Sequence, residues 1–173
     1  MIKVVAVLCM LADHTALFLL PDWQFLRIPG RLATPLFSWL LVQGFRKTRN
    51  VNHYLFRLLL VALLTQPLYI QLFPHNLTPN FLFTLFWGLF LLNMTKYVKS
   101  WSLLLAVPMV GLHMINVDIL FICLWFSLRR TKANKFIESL PRIPMERGGQ
   151  WLFYLIYPIH FALIILAQAG TGL

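Results

Sequence analysis

The residues best placed to do chemistry are a few ionisable groups inside long apolar runs. Asp13 and His14 interrupt MLADHTALFL, Arg31 opens RLATPLF, Asp118 stands beside His113 and Asn116, and His160 follows Tyr154, Tyr157 and Pro158 in FYLIYPIHFALI. Histidine is the side chain suited to taking and returning a proton near neutral pH. Arginine offers a fixed fork of donors to a carboxylate, a phosphate or a developing oxyanion. Each also has a structural reading. Asp13 and His14, adjacent and so about 100° apart on a helix, need not bond each other; Asp13 can pair with an arginine while His14 faces a cavity. Arg31 can be a snorkelling interfacial residue, and Asp118 can simply cap a helix. His160 can be satisfied by a neighbouring hydroxyl or carbonyl, with Tyr154 and Tyr157 at hand. No glycine-rich phosphate loop, metal-ligand cluster or Ser/His/Asp signature is present, so no metal is expected. The residues permit His-centred acid–base chemistry.

These groups must be positioned by elements that live in lipid. Of 173 residues 60% are hydrophobic and 12% charged, with a mean hydropathy of +0.74. A soluble chain this short could not cover that much apolar surface with its own polar groups. The net charge of +10 would suggest nucleic acid in a soluble protein, but the basic residues sit in short clusters between apolar runs. That pattern sets membrane topology and argues against a nucleic-acid partner. Cys9 and Cys123 fall within apolar runs and read as inert core residues. Lys3 before VVAVLCMLA imitates a signal peptide, but Asp13-His14 follows without a small-residue cleavage site, so a retained anchor helix is expected.

Apolar stretches predict helices near 4–20, 32–45, 54–73, 80–95, 101–114, 117–128 and 151–169. Seven spans place Lys3, the Arg46-Lys47-Arg49 loop, the Lys96–Lys99 loop and a basic loop over 129–150 on the cytoplasmic side; six would put the most basic loop outside. The fold class is therefore an all-α polytopic membrane bundle, one domain over 1–173, with a cytoplasmic N-terminus. Arg27 and Arg31, in the first outer loop, run against this charge rule and call for a local reason. Among the basic residues at the inner side, Arg46, Arg49 and Arg57 are candidates to meet the phosphates of a cytoplasmic cofactor, though their spacing alone does not single them out.

The motifs MLADHTALFL, IPGRLATPLFSWLLVQGFRKTRNVNHYLFRLL and LTQPLY resemble the TraX family of F-pilin acetylating proteins. The resemblance rests on Asp13, His14, Gly30, Arg31, Pro35, Phe37, Gly44, Phe45, Thr48, Arg49, Asn50, Tyr54 and Arg57, and on the ending Tyr157-Pro158-x-His160. It is dense over 1–70 and at the C-terminus. It implies a bacterial inner-membrane acetyltransferase that moves an acetyl group from acetyl-CoA to the N-terminal amine of a membrane-inserted pilin. In that reading His14 is the general base, Asp13 fixes His14 or pairs with Arg31, and Arg31 stabilises negative charge or orients the donor. The same chemistry would serve transfer to a sugar or lipid hydroxyl. A non-enzymatic alternative is a transport or pilin-holding protein whose Asp, His and Arg grip a partner.

Overall fold

The computed structural model describes residues 2–75, 79–98 and 149–171. Among these residues every regular element is helical: α1 (Ile2–Phe18), a 3-10 turn (Gln24–Leu26), a short α2 (Arg27–Gly30), α3 (Ala33–Lys47), α4 (Val51–Leu72), α5 (Phe81–Val98) and α6 (Gly149–Thr171). The expected helices at 4–20, 32–45, 54–73, 80–95 and 151–169 each have a counterpart. Those at 101–114 and 117–128, with Asp118, lie outside the described residues, as does the 129–150 loop except for Gly149 and Gln150, which begin α6. Val51–Leu72 is long and apolar enough to cross a bilayer; Phe81–Met94 and Tyr154–Gly170 are apolar but shorter. Among the described residues every regular element is thus helical and one helix is of membrane-crossing length; they do not establish the expected seven spans.

Local chemistry explains several boundaries. Asn50 caps α4, its side-chain oxygen accepting from the His53 backbone N–H at 3.2 Å. Arg46 and Lys47 occupy the last turn of α3, where cations favour the negative end of the helix dipole. Pro67 lies inside α4 and cannot donate its backbone hydrogen bond. Beside it sits Asn80, fully buried at the entry to α5. Asn80 Nδ2 donates to the Ala62 carbonyl and to Gln66 Oε1, each at 2.8 Å, and its Oδ1 accepts from Leu82 N at 3.0 Å. One side chain therefore caps α5 and fastens it to α4, sparing buried polar groups the cost of going unpaired.

Principal packing closes into a ring: α1 against α3, α3 against α5, α5 against α4, α4 against α6 and α6 back onto α1. Contacts fix the directions. His14 meets His160 and Gln168 reaches the Phe18 carbonyl, so α1 and α6 run parallel. Arg57 meets Tyr154 while Tyr69 meets Phe161, so α4 runs with them. Asn80 against Gln66 makes α4 and α5 an antiparallel pair. Lys3, Arg46, Lys47 and Arg49 consequently share one end of the bundle.

The core includes Met10, Val42, Leu58, Ala62, Leu89, Leu92 and Phe161. Polarity is partly inverted relative to a protein in water. Ser38, Gln43, Thr65, Asn80, Thr84 and His160 are buried. Phe56, Leu60, Leu63 and Leu64 of α4 and Leu155, Ile159, Leu163 and Leu166 of α6 are exposed, at spacings that make one stripe per helix.

Candidate functional site

The structure brings together His14 of α1 and His160 of α6, 146 positions apart in the chain, with His160 Nε2 and His14 Nδ1 separated by 2.9 Å. Their ring centres lie 4.9 Å apart with planes within 15° of parallel, and the facing ring nitrogens are within N–H···N hydrogen-bond distance. His160 is buried, and its other nitrogen, Nδ1, lies 3.0 Å from the Ile156 carbonyl one turn earlier in α6. The Phe161 ring flanks His14 at 5.0 Å, and Tyr157 stands edge-on to His160 at 5.4 Å. Of the two partners expected for His160, a hydroxyl or a carbonyl, the structure supplies the carbonyl, of Ile156, together with a second histidine. Tyr157 instead turns its hydroxyl to the Phe81 backbone, at the start of α5.

Asp13 stands on the neighbouring face of α1 and does not orient His14. Its Oδ1 lies 3.6 Å from Arg27 Nε, an ion pair between α1 and α2. Neither atom has a hydrogen-bond partner, although both are buried, so the pair is held by charge rather than by a short bond. Arg27 rather than Arg31 is thus the partner of Asp13, and the pairing supplies the local reason for an arginine in this segment. Gly30 makes room for it: a Cβ there would stand 2.4 Å from Asp13 Cβ. Arg31 is exposed at the junction between α2 and α3, and its side chain joins neither Asp13 nor His14. A four-residue helical turn carries Arg27 inward and leaves Arg31 outside, which spacing along a presumed loop could not reveal.

A second cluster lies toward the basic end. The Arg57 guanidinium sits 5.7 Å from the Tyr54 ring centre and 6.0 Å from that of Tyr154, in cation–π contact with both. It also hydrogen-bonds the Tyr154 side chain, which is bonded to Tyr54 in turn. Arg57 Nε is buried without a hydrogen-bond partner. Gly44 of α3 closes against Tyr54, where a Cβ would meet ring atoms at 3.0 Å. Tyr154 and His160 lie about 9 Å apart along α6 at 1.5 Å per residue. Arg46 and Arg49 stand at and just beyond the end of α3. The structure therefore keeps the expected catalytic and cofactor-binding residues in two clusters and gathers neither set completely. Among the described residues no group of three or more metal-ligating side chains occurs.

The sequence matches the family model described as "TraX protein" over residues 1–132. The chain is 27% identical, over 240 aligned positions, to the "Probable fimbrial assembly protein FimC, serogroup H1" of Dichelobacter nodosus. That alignment covers 96% of this chain and 94% of the relative. No solved structure matches significantly.

Proposed function

The chain belongs to the TraX family, and from that premise we propose a multi-pass inner-membrane acetyltransferase that moves the acetyl group of acetyl-CoA to the N-terminal amine of a membrane-inserted pilin. The observation that carries the reading is the hydrogen-bonded pair of His14 and His160 within an apolar helical bundle. Buried polar residues beside exposed leucine stripes favour lipid as the solvent of several helices. The relative's name, a fimbrial assembly protein, favours a pilin over a sugar or lipid as acceptor.

In this reading His14 takes a proton from the acceptor amine as its nitrogen attacks the thioester carbonyl. The tetrahedral intermediate collapses, the carbon–sulfur bond breaks, and His14 returns the proton to the departing thiolate. Arg31, at the same end of the bundle as His14, orients the donor or meets the developing oxyanion. The basic end faces the cytoplasm, where acetyl-CoA resides. Arg46 and Arg49 at that end, with Arg57 one cluster deeper, offer donors to its phosphates. The acetyl-bearing arm then reaches along α6 toward His14.

The test is intact mass spectrometry of a pilin co-expressed with the wild-type chain or with His14→Ala. One added acetyl group at the pilin N-terminus is expected, lost in a variant that still enters the membrane. Acetylation retained in the variant removes His14 as the base. An unmodified pilin that co-purifies with the wild-type chain refutes transfer and leaves the pilin-holding alternative.

A further inference from the structure

We infer that His160 is a positioning residue that fixes the tautomer of His14, leaving His14 Nε2 as the unprotonated nitrogen that takes the proton. The inference deepens the acetyl-transfer reading and rests on it for the use of that nitrogen, but its structural half stands on geometry alone.

One chain of atoms sets the protonation of both rings. The Ile156 carbonyl can only accept a hydrogen bond, so the His160 nitrogen facing it at 3.0 Å, Nδ1, must carry the hydrogen. A neutral His160 then has a bare Nε2, able only to accept. The His14 nitrogen facing Nε2 at 2.9 Å, Nδ1, must therefore donate. A neutral His14 with its hydrogen on Nδ1 has a lone pair on Nε2. That nitrogen has no partner among the described residues, and His14 is only partly buried. A backbone carbonyl thus specifies, through two imidazoles, which nitrogen of His14 is the base.

The arrangement plays the part that a carboxylate plays behind the histidine of a hydrolase triad, holding the ring by its Nδ1–H and accepting from it more strongly once it becomes an imidazolium. An imidazole suits an apolar bundle better than a carboxylate, because it brings no fixed charge to desolvate. Asp13, the carboxylate next to His14 in sequence, is engaged with Arg27 on another face of α1. Turning the His14 ring over to present the other nitrogen would break its hydrogen bond to His160.

Two readouts test this, and only one depends on acetylation. First, 15N spectra of the histidine-labelled chain in detergent or bicelles, with His14 assigned by its loss in His14→Gln, report which ring nitrogens carry protons. The expected spectrum shows His14 protonated at Nδ1 and bare at Nε2, coupled across the hydrogen bond to His160 Nε2. Second, His160→Leu should lower pilin acetylation on the order of 100-fold or more, the contribution of a well-placed general base. His160→Gln, whose side-chain oxygen can accept from His14 Nδ1, should recover to within about 10-fold of wild type. A wild-type His14 protonated at Nε2 overturns the inference whatever the activity, as does His160→Leu with unchanged tautomer and rate. The expected spectrum with no acetylation of any pilin would retain the tautomer assignment and refute the proposed reaction instead.

Discussion

Gly30→Ala is a small change whose sign is diagnostic. Alanine is the better helix former, and at a sterically open position the exchange stabilises a protein by about 0.4–1 kcal/mol. Gly30 lies in the short helix Arg27–Gly30, and its conformation does not demand glycine. Space does. A Cβ would meet Asp13 Cβ at 2.4 Å, Oδ1 at 2.7 Å and Cγ at 2.8 Å. The first of these atoms is fixed to the α1 backbone and cannot swing away. Restoring an ordinary carbon–carbon contact requires the α2 backbone to retreat by roughly 1 Å or more. Overpacking of that kind costs about 1–3 kcal/mol. The partly exposed Asp13–Arg27 pair, already at 3.6 Å, adds at most about 1 kcal/mol when stretched. With the helix-propensity gain set against the upper part of that range, a net loss of about 1–2 kcal/mol is expected. Reversible unfolding of wild type and variant in the same micelles measures it. A double-mutant cycle isolates the cause, because Asp13→Gly removes the offending Cβ while adding a helix penalty that cancels in the cycle. The Gly30→Ala loss should disappear in that background. A Gly30→Ala protein as stable as wild type, or a loss undiminished beside Asp13→Gly, would refute the close approach of α2 to α1.

Two further outcomes are expected. Arg57→Lys keeps the charge but loses the planar stack between Tyr54 and Tyr154, so KM for acetyl-CoA should rise about 10-fold with kcat within roughly twofold; steady-state kinetics with an unchanged KM would remove Arg57 from donor binding. Leu63, exposed near the middle of α4, should tolerate Phe. Leu63→Arg should lower membrane-fraction yield and stability, since an arginine at a helix centre costs about 2.5–3.5 kcal/mol on insertion scales; undiminished yield and stability would argue that this face meets water rather than lipid.

Local signals in the amino-acid sequence suffice to locate the helices and the kinds of group that could act. Hydropathy and helix-end signals are local, so five of the seven expected helices have counterparts close to their predicted limits, and Asn50 caps α4 where the apolar run begins. An ionisable residue in an apolar run is conspicuous without any structure, which is why His14, Asp13, Arg57 and His160 could be named in advance. Their partners were another matter. Asp13 had two arginines within reach along the chain, and only the turn of α2 decided for Arg27 over Arg31. Asn80 is one more residue at the start of the predicted helix 80–95 until the antiparallel packing of α5 sets it against Gln66 and the Pro67 region of α4. His14 and His160 are 146 positions apart, and each has a sufficient structural explanation when taken alone. Hydropathy and periodicity report how each residue meets its own helix and solvent; a hydrogen bond between helices depends on their rotation, depth and direction, which tertiary packing sets.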